Sequence, residues 1–558
     1  MSNPMTGGRF IAEALQAHGV THVFFMDAIL RRALVEMEKI GIRRILTHSE
    51  KGAAYMADGY ARVARRPAVC MAQSVGAANL AAGLQDAFLG DSSVIALTGR
   101  QPAAMQYRNA YQEVPHEPLF ASVTKTRMRV DAAEQLPRLL RQAFRDATTG
   151  RPGPVHLDIA GHTGDVIASA QLPGDVSTGG APYDRVPAFR LLPPNDLLQR
   201  AAQMIGSAAR PVFVADLGVS TSNAEVALAR LAEKTGIPVV GSLDAKTVLM
   251  EKHPLNAGIV GTYSRTCANQ VVSQADLVVF VGSRVGDQVT NNWTLPASSV
   301  PVIQIDTEAA ELGRNYPATL GLPGDPRSTL EALLPLCTAA DRGDWSRQMR
   351  SLVEAWRREV APQRDAASTP VRPERLCKAV SESLPDDAIL VSDTGYSSQW
   401  SGTLVHLGSP QQRYLRAAGS LGWAFPASIG AKCAAPDQPV VCFAGDGAFM
   451  YHLTELETAR RYGIPVVVVV NNNSCLAQGA RAIDEAYRGQ TGNPGEIHNF
   501  RPTNFAGIAS AMDCLGIRVE RIADFGAAME RALRSDVPAV IDVVTDPEAL
   551  APLPWTPD

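Results

Sequence analysis

The sequence predicts an α/β protein of three units, each a parallel sheet flanked by helices, and three observations carry that expectation. The chain has 558 residues, more than one hydrophobic core serves, so about three domains is the natural prior. Apolar, β-rich runs such as Thr21–Met26, Ala68–Ala72 and Ser93–Thr98 alternate with Ala-, Leu- and Arg-rich helical stretches, the pattern of parallel sheets with crossover helices. Two stretches rich in Pro, Gly and Ser or in polar residues, about 172–194 and 361–373, divide the chain into units of roughly 1–175, 190–345 and 370–548. The outer two units are similar in size and layout.

Composition is that of an ordinary soluble protein, 46% hydrophobic and 19% charged, with a net charge of −4. No basic block or Lys/Arg-rich tail marks a nucleic-acid partner. The longest apolar strings, such as Val466–Val470, are strand-sized, so no membrane span is expected. MSNPMTGGRF lacks a basic-then-apolar leader, which leaves the cytoplasm as the expected compartment. The eight cysteines are scattered with no CxxC pair, which argues against a zinc site or a disulfide framework.

In the first unit, Leu46-Thr47 ends a strand-like run and Glu50 opens a helix in LTHSEKGAAYMADGYAR. A carboxylate there is ordinarily only a helix-start charge. In the middle unit, RPVFVAD, ADLVVFVGSR and VPVIQIDTE read as strands, each ending in a Gly or Asp turn, where open α/β sheets take their ligands. In the last unit, Val440–Ala444 is an apolar strand, Gly445-Asp446-Gly447 a turn with little side-chain bulk, and Met450, Leu453, Leu456 and Ala459 recur at helical spacing. Gly463-Ile464-Pro465 stops that helix, Val466–Val470 is the next strand, and Asn471-Asn472-Asn473 ends it. This βαβ unit brings Asp446 and Asn473, 27 residues apart, to the C-terminal edges of two parallel strands. A carboxylate and an amide oxygen are hard ligands suited to Mg²⁺. The glycines let N–H groups at the following helix start approach phosphate oxygens.

The arrangement GDG, about thirty residues, then NN resembles the signature of thiamine diphosphate enzymes. By that resemblance the metal ligands are Asp446, Asn473 and the carbonyl of Cys475; Asn472 is the alternative register, and the spacing favours Asn473. Gly445, Gly447 and Ala448 would then lie against the diphosphate. The LTHSEKGAAYMADGYAR segment resembles the acetolactate synthase branch of the family, which implies that Glu50 hydrogen-bonds N1′ of the aminopyrimidine and promotes loss of the thiazolium C2 proton. AAGSLGWAFPASIGA resembles the family's segment in which an apolar wedge, here Leu421, bends the cofactor and a carbonyl, here of Gly419, accepts from its 4′-amino group. SDTGYSS matches the diphosphate loop, with Gly395, Tyr396 and Ser397 nearest. NAYQEVPHEPLFASVTK resembles the segment that places Gln112 near the reacting carbon, and His116 is read either as an acid–base group or as a structural loop residue. In this family the active site forms between two chains, which implies a homodimer at least, and commonly a homotetramer.

The chain departs from acetolactate synthases where substrate is chosen: FFMDAILRR at 24–32, QSVG at 73–76 and SCLAQGAR at 474–481. The middle-unit segments GTYSRTCAN, VGSRVGDQVT, QIDTEAAELGRNYP and LPGD resemble FAD-contacting segments of that branch, with Arg284 and Asp306 as the contacts. The family's glycine cluster after the first middle strand is here ADLGV, so FAD, ADP or no nucleotide is left open. The resemblance implies decarboxylation of a 2-oxo acid with carboligation to a second small carbonyl compound. A lyase or hydrolase acting on hydroxy ketones or diketones without loss of CO₂ is the alternative. A non-catalytic binding relative is the third reading, and the presence of Glu50, Asp446 and Asn473 counts against it.

Overall fold

A computed structural model describes residues 5–172, 177–317 and 319–557; the expected boundary at 175 lies outside the described residues. The first unit contributes β1 (His22–Phe25), β2 (Arg43–Leu46), β3 (Ala68–Gln73), β4 (Val94–Arg100), β5 (Thr126–Val130) and β6 (Val155–Ala160). The second contributes β7 (Pro211–Ala215), β8 (Val239–Gly241), β9 (Asn256–Ile259), β10 (Leu277–Val281), β11 (Val302–Asp306) and β12 (Thr319–Pro323). The third contributes β13 (Ile389–Ser392), β14 (Arg413–Arg416), β15 (Val440–Gly445), β16 (Val467–Asn472), β17 (Leu515–Val519) and β18 (Ala539–Val544).

Each unit forms one six-stranded sheet, and neighbouring strands run parallel. The outer sheets share one order, β2-β1-β3-β4-β6-β5 and β14-β13-β15-β16-β18-β17, whereas the middle sheet runs β9-β8-β7-β10-β11-β12. The likeness of the outer units is therefore one of topology, and the middle order is that of a dinucleotide-type doubly wound sheet. Strands such as Val467–Val470 are buried on both faces, as helices on either side of a parallel sheet require. Among the described residues, no helix is long and apolar enough to cross a membrane.

Two expectations need correction. The helix after Gly447 is broken into Asp446–Met450 and Glu455–Arg461. Between the two pieces the chain tightens, with Tyr451 N–H bonding the carbonyl of Ala448, His452 N–H that of Phe449 and Glu455 N–H that of His452, all three-residue steps rather than α-helical ones. The stretch expected as a linker from 361 is helical as far as Arg364, because Gly343–Arg364 forms one helix of 22 residues. Its Trp345 ring donates to the Pro211 carbonyl at 3.0 Å and so ties it to the middle sheet.

The first and third units share one apolar core, in which Phe24, Tyr55 and Met56 meet Trp423, Phe425, Cys442 and Ala444. Its centre is the crossing of helix Glu50–Ala64 with helix Ala424–Ala434. A Cβ on Gly430 would stand 1.8 Å from the Met56 carbonyl oxygen, and one on Gly59 would stand 2.1 Å from that of Ala427. Gly430→Ala is therefore expected to lower stability by about 1–3 kcal/mol through overpacking. Gly206→Ala is the control, since among the described residues a Cβ at that helical glycine meets nothing within 4 Å. Denaturant midpoints for the two variants check this: equal midpoints would show that the helices separate freely.

Candidate active site

Four loops of the third unit converge at the C-terminal edge of its sheet, following the adjacent strands β14, β13, β15 and β16. The order reverses between β13 and β15, which makes this the switch point where doubly wound sheets take ligands. Strand β16 runs on through Asn471 and Asn472, and Asn472 pairs in register with Val544. Alternation along the strand turns the Asn472 amide away from the edge. It donates to Asp542 at 2.7 Å and to the Thr503 carbonyl at 2.9 Å. Asn473, one residue past the strand, turns toward Asp446. Oδ2 of Asp446 and Oδ1 of Asn473 both accept from the Cys475 N–H at 3.2 Å. Burial pushes the Asp446 carboxyl up to about 6, while backbone N–H groups such as that of Gly447 pull against it. Two oxygens converging on one weak donor, one of them from a buried carboxylate, suit a hard divalent cation.

Small residues keep this edge open. A Cβ on Gly447 would stand 2.7 Å from Leu476 Cδ2 and 2.9 Å from Phe500 Cε2, while Ala448 beside it is buried. A Cβ on Gly445 would lie 3.4 Å from Oγ of Ser397. Gly395 takes φ +68° at the start of helix Tyr396–Leu404, so a left-handed residue delivers Tyr396 and buried Ser397 to the edge. Gly419 is exposed, and among the described residues a Cβ there would meet nothing within 4 Å. Leu421 is half-buried against the shared core.

The first unit supplies a second cluster. Ser49 caps helix Glu50–Ala64, its Oγ accepting from Gly52 N–H at 2.9 Å, so Glu50 is not needed as a cap. Its Oε2 instead accepts from Asn79 Nδ2 at 3.1 Å. A Cβ on Gly76 would stand 2.5 Å from Oε1, so only glycine leaves the carboxylate its place at the start of helix Gly76–Leu89. Two residues before it, Ser74 Oγ donates to the Gln112 carbonyl. Gln112 holds φ +58°, strained for a residue with a Cβ, and among the described residues its buried Oε1 has no partner.

His116 opens the short helix His116–Phe120, which packs on helix Gly76–Leu89. It is 3% exposed, with Nδ1 2.9 Å from Asp158 Oδ1. Thr98 bridges Asp158 at 2.9 Å and His156 at 2.7 Å. His116, His156 and Asp158 lie close enough to suggest a metal, but the Thr98 hydroxyl already bonds His156 and Asp158, and the Arg100 guanidinium stands 3.6 Å from Asp158 as a counter-charge. Among the described residues no hydrogen bond joins His116 to Glu50, Ser74 or Gln112.

Arg284 and Asp306 both line a cavity of about 530 Å³ outside the C-terminal ends of the middle sheet. Arg284 turns to the first unit, donating to the Leu89 carbonyl at 2.6 Å, and burial pushes the Asp306 carboxyl up to about 7.

Sequence reading missed a set of buried acids. Asp86 and Asp393 each bond several backbone N–H groups of the segment that carries Leu421. Asp393 stands in the SDTGYSS motif, so its position was visible although its role was not. Asp86 carried no local signal, because the loop amides it bonds lie more than 300 residues away.

Three parallel sheets, with a carboxylate–amide pair at one switch point and a carboxylate at a helix start in a topologically matching unit, define a cofactor-dependent α/β enzyme. Comparison with known proteins agrees. Residues 5–119 match the N-terminal TPP binding domain of thiamine pyrophosphate enzymes, 198–333 the central domain and 393–543 the C-terminal TPP binding domain. The chain is 33% identical to a probable acetolactate synthase large subunit of Methanocaldococcus jannaschii, over 98% of this chain and 93% of that one. It is 31% identical to the large subunit of acetolactate synthase isozyme 1 of Escherichia coli K12, over 97% and 94% of the two chains. For isozyme 2 of the same organism the figures are 30%, 97% and 96%. The chain belongs to the thiamine pyrophosphate enzyme family, and is a thiamine diphosphate-dependent enzyme of transferase or lyase type similar to acetolactate synthases.

Proposed function

We propose that the protein decarboxylates a 2-oxo acid and joins the remaining fragment to a second carbonyl compound, with Mg²⁺ and thiamine diphosphate as cofactors. The observation that carries this reading is the full-length similarity to acetolactate synthase large subunits, together with intact oxygen donors at Asp446 and Asn473. Thiamine diphosphate, when bound, supplies a nucleophilic carbon and an electron sink for the bond that breaks. Asp446, Asn473 and the Cys475 carbonyl hold Mg²⁺. Gly395, Tyr396, Ser397, Gly445, Gly447 and Ala448 surround the diphosphate, and Leu421 and the Gly419 carbonyl support the aminopyrimidine. Glu50 holds a proton at its N1′. The Gln112 amide oxygen, without a partner among the described residues, faces the substrate, since a buried acceptor left without a partner is costly. His116 keeps a structural role beside Asp158.

The working unit is a homodimer with shared sites, and further pairing into a tetramer accords with the branch. Exposed Met450, Tyr451, Leu476 and Phe500 flank the Asp446 side, and exposed Val75 flanks Glu50; apolar surface beside both half-sites suits burial by a second copy.

We infer further that the central cavity does not take a flavin dinucleotide. The Gly218 N–H donates to the Gly282 carbonyl at 2.9 Å, so the turns after β7 and β10 close on each other where such a sheet takes a diphosphate. The Asp216 carboxylate stands there, accepting from Ser242 Oγ at 2.6 Å and Ser283 Oγ at 2.8 Å, and a second anion beside it is disfavoured.

The test is to supply purified protein with Mg²⁺, thiamine diphosphate and pyruvate, and to record CO₂, coupled products and the visible spectrum. The expected outcome is CO₂ with a new carbon–carbon bond and no flavin band. Cleavage of benzoin-type ketones or cyclic diketones without CO₂ would replace the carboligase reading by the lyase or hydrolase one. A flavin band would overturn the cavity inference.

A further inference from the structure

The segment Ala418–Ala424 crosses the edge of the third sheet between two buried carboxylates that come from different units. From the first unit, Asp86 accepts from the N–H groups of Ala418 at 2.9 Å, Gly419 at 3.2 Å and Ser420 at 2.9 Å. From the third, Asp393 accepts from Gly422 at 3.0 Å, Ala424 at 2.8 Å and its own neighbour Thr394 at 2.9 Å. Five amides of a seven-residue loop therefore end on two carboxylates, three on one side of Leu421 and two on the other. Gly422 takes φ +88°, and a Cβ there would stand 2.5 Å from Tyr451 Cβ, so the turn after Leu421 admits only glycine.

Both acids are almost fully buried, Asp86 at 0% and Asp393 at 1% exposure. Anions in such a place persist only when hydrogen bonds and charge offset their lost hydration. The loop amides form such a nest, and Asp86 has a counter-ion besides. Arg62 donates to it at 3.1 Å and to Asp58 at 2.8 Å, and sends a third N–H to the Arg416 carbonyl at 2.8 Å. The Trp423 ring nitrogen closes the network on Asp58 at 2.8 Å. Asp58 and Arg62 lie on helix Glu50–Ala64, so this network ties the helix that begins with Glu50 to the strand and loop that lead to Leu421.

We propose that Asp86 and Asp393 are positioning residues that grip this loop from both sides and fix Leu421 and the Gly419 carbonyl against the cofactor's aminopyrimidine. The inference rests on the thiamine diphosphate reading above. Neither carboxylate reaches the reacting atoms; each acts through the backbone it holds. An ordinary hydrophobic loop would tolerate small shifts. This one has to present a wedge and a carbonyl in fixed register, and charge-assisted bonds to consecutive amides supply that rigidity.

The test uses Asp86→Asn in the full-length protein with Mg²⁺ and thiamine diphosphate. The amide has one acceptor oxygen and directs an NH₂ group at the remaining loop amides, so the grip is lost while volume is kept. At saturating cofactor, hydrogen–deuterium exchange at the cofactor's C2 should slow by about tenfold or more, the equivalent of one charge-assisted hydrogen bond. The near-ultraviolet circular dichroism of bound cofactor should change with it, and Asp86→Glu should recover part of both. Unaltered C2 exchange and dichroism in folded Asp86→Asn would overturn the proposal. Amide exchange of the wild-type holoenzyme tests it without any variant: the N–H groups of 418–420, 422 and 424 should be protected like strand amides, and rapid exchange there would equally overturn it. If calorimetry shows that the wild-type protein does not bind thiamine diphosphate, the cofactor reading itself fails, which is a different result from either of these.

Discussion

Glu50→Gln should leave a folded protein that binds thiamine diphosphate and Mg²⁺ but turns over about 10²–10⁴ times more slowly, the usual weight of a positioned proton-transfer group. The substitution keeps size and shape. The glutamine side chain would still fit over Gly76, where the absent Cβ leaves room for it, and would still bond Asn79, the present partner of Oε2 at 3.1 Å. Helix stability should not change, because Ser49 supplies the cap. What is lost is the carboxylate's capacity to take up and return a proton at N1′. The diagnostic measurement is hydrogen–deuterium exchange at C2 of the bound cofactor. It should fall as steeply as turnover, while the binding constant from calorimetry moves only a few-fold. Normal exchange in this variant would remove Glu50 from the mechanism, whatever happened to turnover.

The parts of the site legible in sequence were those made by neighbours in the chain. The β15–β16 crossover could be read because five apolar residues, a Gly-Asp-Gly turn, a helical period and a second apolar strand follow within about thirty positions, and a βαβ unit leaves its loop residues at one edge. The proposed register among the three asparagines draws on alternation together with the end of β16, which the structure supplies. Sequence spacing failed where contacts cross between units. Asp86 meets residues 418–420, and His48 N–H meets Glu455 at 3.1 Å; nothing local marks such pairs. The broken helix at 451–454 was missed for a related reason. Its period is helical, but the side chains it presents, Tyr451 against Gly422 and Glu455 against His48, are placed by the first unit and by the Leu421 loop. In the middle unit, ADLGV was visible as a departure from the family, yet the contact that gives it weight joins Gly218 to Gly282, too far along the chain for spacing to reveal. Ser74 likewise looked like a mere change of pocket wall until its hydroxyl was found on the Gln112 carbonyl.

Replacing Asp446 by Ala is expected to have an effect of the opposite kind to Glu50→Gln: cofactor binding lost, apo stability kept. In the proposed site Oδ2 of Asp446 and Oδ1 of Asn473 form the metal half-shell, and only Asp446 brings a formal charge. Its removal should weaken joint binding of Mg²⁺ and thiamine diphosphate by more than the roughly 10- to 100-fold that altering an outer-shell partner of a metal costs. In the wild-type protein, a ligand at about 100 times its dissociation constant adds about 2.7 kcal/mol of stability, which a thermal scan detects; the variant should show no such shift. Without ligands the variant should be at least as stable as the wild type, since the carboxylate it removes is buried and has its pKa pushed to about 6 by desolvation. The asparagines separate the metal role from a structural one. Asn473→Ala should behave like Asp446→Ala. Asn472→Ala should instead lower apo stability by about 1–3 kcal/mol, because it strips a hydrogen bond from Asp542, a fully buried carboxylate that also accepts from Phe505 N–H at 3.0 Å, and it should leave the ligand-induced shift in place. If Asn472→Ala abolished that shift and Asn473→Ala did not, the metal would belong to the other register, and the edge of β16 would have to be redrawn by one residue.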